Sequence, residues 1–176
     1  MEYILTTERL GLRNWEMEDL SAAVEMNSDP EVMRFFPATR GREASVGMIE
    51  KFRAHQDKYG FTYFAVDELA GDLALGFVGL FSQDYEAPFT PCVDIGWRLR
   101  KQYWGRGYAP EAAKACLDFA FQFLGLKEVI ATTPHINLPS RRVMEKIGMT
   151  YQGEYIHPKV PNPHPLQPSV WYKIET

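Results

Sequence analysis

Apolar positions recur at helical intervals early in the chain and at strand-like intervals through its middle. From Glu16 to Asn27 the residues Leu20, Ala23, Val24 and Asn27 mark one helical face, and Asp29-Pro30 ends it. FFPATRG breaks the pattern, Arg42 to Tyr59 again reads as a helix, and Gly60 stops it. FTYFAVDE and LALGFVGLFS flank the Ala70-Gly71-Asp72 turn and predict an antiparallel hairpin. After the loop EAPFTP, CVDIGWRLR has the residues of a buried strand. Beyond Gly107, the positions Ala109, Ala112, Ala113, Cys116, Phe119, Ala120 and Phe123 form one apolar helical stripe, closed by Gly125. KEVIATTP predicts another buried strand. NLPSRRVMEKIGM predicts a short helix with Asn137 as N-cap, Pro139 in the first turn and Gly148 as its stop. MTYQGEYI and SVWYKIE read as closing strands around the proline-rich HPKVPNPHPLQP, and residues 3–14 as an extended lead-in anchored by Ile4, Leu5, Leu10 and Leu12. The order is helices, a hairpin, then β-α-β-α-β-β, without repeats or a linker. It describes one α/β domain over residues 1–176.

Composition narrows the class. A hydrophobic fraction of 45% and an aromatic fraction of 14% fit a soluble globular chain. The net charge of -4 argues against a broad nucleic-acid-binding face and fits attraction to a cationic partner. Two cysteines, Cys92 and Cys116, imply no disulfide framework. The beginning of the chain has no apolar run of signal-peptide type, and nothing approaches the ~20 apolar residues of a membrane helix. A cytoplasmic monomer or homodimer is the expectation. His55, His157 and His164 lack metal-ligand spacing, so no metal is expected.

The chemistry concentrates in QYWGRGYAPEA, where a strand feeds a helix through two glycines. A first helical turn leaves N–H groups without partners and carries partial positive charge, which suits an anion. Gly105 and Gly107 let that backbone approach a phosphate without a Cβ in the way. Arg98, Arg100, Lys101 and Arg106 surround the loop in sequence and would neutralise phosphate if they converge. A tight turn with solvated arginines is the alternative. No G-x-x-x-x-G-K-[ST] occurs, and Pro110 stands where a dinucleotide fingerprint wants Gly or Ala.

Gln102-Tyr103-Trp104-Gly105-Arg106-Gly107-Tyr108-Ala109 reads Q-x-x-G-x-G-x-A and resembles the acetyl-CoA signature of the GNAT N-acetyltransferases. Asn137 to Ser140 and Met144 to Met149 are similar to that family's second cofactor element, and TERLGLRNWEMEDL with DPEVMRFFP is similar to its RimJ/RimL-like branch. The resemblance implies a mixed, mostly antiparallel sheet splayed open beside the loop, flanked by helices. It implies acetyl-CoA as cofactor, no metal, and acceptors that are protein N-termini, including ribosomal ones, or small-molecule amines. By position it assigns pantetheine to the strand at Trp97, Leu99 and Arg100, pyrophosphate to the loop from Gln102 through Gly105, Arg106, Gly107, Tyr108 and Ala109, and further cofactor contacts to Asn137, Ser140 and Arg141.

Direct attack of an amine on a thioester needs a base, an oxyanion donor and a proton for the leaving thiolate. Asp94, which alternates with Val93 and Ile95, is the first candidate base; the alternative is a salt bridge to Arg98 on the same face. His135 is the second candidate base. The Leu99 amide is the candidate oxyanion donor. Many family members carry a tyrosine seven residues after the asparagine; Met144 stands there, leaving Ser140, solvent, or one of Tyr151 and Tyr155 to protonate the thiolate. Phe35, Phe36, Tyr85 and Trp97 are candidates for the acceptor pocket, and Trp104 is expected beneath the phosphate loop. Cys116 reads as packing. A non-catalytic acyl-CoA-binding domain would keep Gly105, Gly107 and Asn137 without working acid–base groups; a nicotinamide oxidoreductase is a remote third reading.

Overall fold

The computed structural model describes residues 2–176. Among these residues eight strands form one sheet in the order β1-β2-β3-β4-β5-β6-β8-β7. They are β1 (Leu5–Thr6), β2 (Leu10–Arg13), β3 (Tyr63–Glu68), β4 (Gly76–Gln83), β5 (Cys92–Leu99), β6 (Glu128–Pro134), β7 (Thr150–Ile156) and β8 (Pro168–Glu175). The helices are α1 (Leu20–Ser28), α2 (Arg42–Tyr59), α3 (Tyr108–Gln122) and α4 (Leu138–Lys146). The mixed, mostly antiparallel sheet expected from sequence is present. The lead-in is not continuous, however: Thr7 turns it back, its Oγ1 accepting from the Leu10 amide at 3.0 Å, so β1 and β2 form a hairpin.

Alternation along β5 divides the core. Ile95 and Leu99 are buried beneath α3, with Val93 and Trp97 packed beside them. α3 can lie close to the sheet because Ala112, Ala113, Cys116 and Ala120 are fully buried on its inner face and are small. The other face packs against α1 and α2 through Trp15, Phe52, Tyr63, Phe77 and Phe81. Each fully buried large apolar side chain contributes about 1.5–3 kcal/mol, so both layers are needed to hold the sheet.

One joint is incomplete. β4 and β5 pair along their whole length, from Gly76↔Leu99 to Gln83↔Cys92. β5 and β6 run parallel and meet only at Asp94↔Ile130. Beyond that point, among the described residues, Ile95 to Leu99 have no partner strand on the β6 side, so the sheet is open from Asp94 onward.

A buried ionic cluster fastens the hairpin to this frame. Arg13 donates to Asp67 through Nε at 2.6 Å and Nη2 at 3.0 Å, and to Asp19 through Nη1 at 2.7 Å and Nη2 at 2.8 Å. Asp67 also accepts from the Ala74 amide at 2.7 Å. Among the described residues no helix is long and apolar enough to cross a membrane.

Candidate active site

The open joint, the start of α3 and the residues around Asp94 converge. At the loop, Gly105 has φ 73° and Gly107 φ 80°, both in the left-handed region that disfavours a side chain. A Cβ on Gly105 would meet nothing within 4 Å, so that backbone is bare. The Trp104 amide is used, donating to Lys101 O at 3.1 Å. Among the described residues, none of the amides from Gly105 to Ala109 has a protein acceptor. The first turn of α3 therefore presents free donors to the surface.

Glu111, in that first turn, holds the loop from behind. It accepts from Thr7 Oγ1 at 2.6 Å, the Arg9 amide at 3.1 Å and Arg9 Nε at 2.8 Å. Arg9 Nη1 in turn donates to Arg106 O at 3.0 Å. Tyr103, 2% exposed, packs into the core near the loop. Trp104 does not, contrary to expectation: it is 39% exposed and its indole N–H caps Leu99 O at 2.8 Å.

The four basic residues around the loop do not all converge on it. Arg100 pairs with Glu25 at 2.8 Å and Lys101 with Glu31 at 2.5 Å. Arg98 points to the α1 side, where its guanidinium lies 4.0 Å from the Phe36 ring centre and donates to Asn27 Oδ1 at 2.7 Å. Arg106 lies over Tyr103 at 5.5 Å, and Arg100 lies over the same ring at 5.0 Å while its Nη2 donates to Tyr103 Oη at 2.9 Å.

Asp94 lies where the sheet begins to open. It is 7% exposed, accepting from Tyr63 Oη at 2.5 Å and Gln83 Nε2 at 3.0 Å. Burial pushes its carboxyl up to about 7, against the pull of those two hydrogen bonds and of Lys51 and Lys159. Arg98 forms no salt bridge with it: Arg98 stands four residues farther along β5, and at Gly96, between them on the same face, the Tyr63 ring is admitted instead. A Cβ at Gly96 would stand 3.0 Å from Tyr63 Cζ. Tyr63 and Gln83 escaped the sequence reading, since hydrogen bonds across strands leave no local spacing. The register Phe81↔Asp94 on one side of β4 and Phe64↔Val78 on the other is what joins them.

Tyr155, Tyr85 and His157 complete the surroundings of Asp94. The Tyr155 side chain is buried and, among the described residues, its hydroxyl has no hydrogen-bond partner. Burial raises its pKa, with Thr132 and Tyr85 close by. The Tyr85 ring stacks on His157 at 5.0 Å, and Lys159 Nζ lies 5.0 Å from it.

The model of the acetyltransferase (GNAT) domain family matches residues 9–150 of the chain. This chain belongs to the GNAT acetyltransferase family. The GNAT domain here is 33% identical over 149 residues to the uncharacterized N-acetyltransferase YnaD of Bacillus subtilis, covering 85% of this chain and 84% of that one. It is 31% identical to the FsC-acetyl coenzyme A-N(2)-transacetylase of Aspergillus fumigatus over 84% of this chain and 65% of that one. The solved GNAT-family acetyltransferase from Bacillus anthracis superposes with a TM-score of 0.81 at 30% identity, covering 97% of each chain.

Other predicted positions of this GNAT domain fall away from Asp94. His135 is exposed at the far end of β6, five residues beyond Ile130 and so about 16 Å along the strand. Its carbonyl accepts from Arg141 Nη1 at 3.2 Å, and Arg141 Nε donates to Tyr172 Oη at 3.1 Å. Asn137 is the N-cap foreseen, accepting from the Ser140 amide at 3.2 Å while Nδ2 donates to Thr133 Oγ1 at 2.9 Å. Met144, where a tyrosine is usual, is 1% exposed and belongs to the core. Trp97 packs on the α3 side of the sheet and Phe36 on the other, so they cannot wall one pocket from the same face. Phe35 lies beside Arg34, with 4.8 Å between ring centre and guanidinium. The Arg100 amide, assigned to pantetheine, is already bonded to Leu75 O at 2.8 Å. His55 is structural: Nε2 accepts from the Ser82 amide at 3.1 Å, so Nδ1 carries the proton and donates to Phe61 O at 2.6 Å. No group of three metal-ligating side chains occurs among the described residues.

Proposed function

We propose that this GNAT domain transfers acetyl from acetyl-CoA to a primary amine by direct attack in a ternary complex. The observation that carries the reading is the set of unpartnered amides from Gly105 to Ala109 beside the opening between β5 and β6. The diphosphate binds those amides, Arg106 adds charge, and pantetheine runs along the free edge of β5 toward Asp94. Asn137 fixes the start of α4, so that Ser140 faces the cofactor's far side. The enzyme named for FsC supports acetyl-CoA as donor, and the opening likeness to the RimJ/RimL-like branch favours a protein N-terminus or small amine as acceptor.

Asp94 acts as general base. An amine is protonated at neutral pH, and a carboxylate with a pKa near the working pH accepts its proton without being too weak a base. Tyr63 and Gln83 fix the carboxylate's orientation. Backbone N–H groups on the open edge of β5 polarise the thioester carbonyl as negative charge develops. Tyr155 is the better-placed proton source for the departing thiolate: its hydroxyl is unpaired beside Thr132, on the strand bordering the opening.

Calorimetric titration with acetyl-CoA and thiol release across an amine panel test this reading. Gly107→Val is expected to raise the KM for acetyl-CoA at least tenfold, because it adds bulk at the phosphate and strains a φ of 80°. An unchanged KM would remove the loop from the cofactor site. The core position of Met144 keeps a second reading in play, a non-catalytic acyl-CoA-binding domain; tight CoA binding without thiol release to any amine would select it.

A further inference from the structure

We propose that Trp104 is a positioning residue: its indole, bonded to the end of β5 and held by Arg34, fixes how far the amide cradle at Gly105–Ala109 stands from the open edge of that strand. The proposal rests on the acetyl-transfer reading and adds a residue to the cofactor site. Acetyl-CoA carries its diphosphate and its thioester at opposite ends of the pantetheine arm. A ligand that spans two elements gains the full benefit of both only where their separation is already set.

The ladder shows which groups line the open edge. The Arg100 amide donates to Leu75 O at 2.8 Å, and the register continues with Gly76↔Leu99 and Phe77↔Arg98. Antiparallel pairs alternate between bonded and unbonded, so Ile95, Trp97 and Leu99 turn their N–H and C=O groups away from β4, toward the opening. That edge runs about 13 Å from Ile95 to Leu99. The link from Arg100 to Trp104 joins it to Gly105. Tyr103 secures the middle of this link, its hydroxyl donating to Asp72 Oδ2 at 2.8 Å.

Trp104 secures its end. The indole N–H donates to Leu99 O at 2.8 Å, so this bond ties the residue just before Gly105 to the edge that the pantetheine follows. Packing does not account for the ring, which is exposed. The Arg34 guanidinium lies over it, 5.6 Å from the ring centre, and 4.8 Å from that of Phe35. Among the described residues Arg34 makes no ion pair. Glu31, three residues earlier, takes Lys101 at 2.5 Å. The segment after α1 thus holds the link at Lys101 and at Trp104.

The test compares acetyl-CoA with its diphosphate half, 3′-phospho-ADP, by calorimetry on the parent protein and two variants. Acetyl-CoA should bind the parent more tightly than the half does, because it also reaches β5. Trp104→Phe keeps an aromatic face for Arg34 and removes the N–H. It should weaken acetyl-CoA at least fivefold and leave 3′-phospho-ADP within twofold of the parent. Arg34→Met leaves the indole in place and should weaken acetyl-CoA about threefold, again sparing the half; this variant carries the test if Trp104→Phe fails to fold. Equal losses for whole and half would mean that Trp104 only stabilises the loop, and would overturn the proposal. So would a Trp104→Phe protein that binds acetyl-CoA as the parent does, or a parent that binds the half as tightly as the whole. A parent that binds neither compound refutes the acetyl-CoA reading itself. The expected pattern without thiol release to any amine upholds the role of Trp104 and refutes acetyl transfer.

Discussion

Asp94 shows how much one carboxyl can depend on its surroundings. Burial favours its neutral form, so its pKa rises from about 3.9 in an unfolded chain to about 7. Raised folding pKa means that the native state holds the proton more tightly, and stability falls as pH climbs through that window. Asp94→Asn should therefore leave stability nearly unchanged at pH 4 and raise it at pH 8, measured by denaturant unfolding. The same substitution should cut kcat by about a hundredfold or more and flatten the rise of kcat/KM through about pH 7. A surviving rise would assign that limb to another group. For the acid, Tyr155→Phe should slow single-turnover acetyl transfer at least tenfold while Ser140→Ala stays within twofold; the reverse would make Ser140 the donor.

At the scale of elements, the sequence was most legible where local chemistry sets local geometry. Asn137 reads as an N-cap and is one; Gly107 reads as a bare hinge before a helix and has the φ to match. What was hidden depends on residues far apart in the chain. The turn at Thr7 is completed by Glu111, and the partners of Asp94 come from β3 and β4. The basic residues around the loop looked like a phosphate cluster because sequence proximity says nothing about Glu25, Glu31 and Asn27, with which three of them bond. The Arg13 cluster was equally invisible. Arg13→Met leaves Asp19 and Asp67 buried and uncompensated and should cost about 3–5 kcal/mol in urea unfolding, with the KM for acetyl-CoA unaltered in the folded fraction. A loss below about 1 kcal/mol would mean that water reaches those carboxylates.

For the molecule as a whole, the layered sheet was legible because period and breakers agree along most of the chain, and the family likeness rested on the motif Gln102–Ala109 together with the Asn137–Met149 stretch and the opening of the chain. The acceptor was not. Net charge pointed to a cationic partner, whereas the charges that act on Asp94 within the fold include the cations Lys51 and Lys159. Summing charges over 176 residues discards where they sit, and the neighbours of Asp94 come from β3, β4 and β7, brought together only by folding.

The grip of Arg9 and Thr7 on Glu111 spans 102 and 104 positions of sequence. The loop's rigidity is thereby borrowed from the opposite end of the polypeptide. A fusion partner or trimming at the N-terminus that disturbs Thr7 or Arg9 would loosen cofactor retention without altering any residue of the glycine motif.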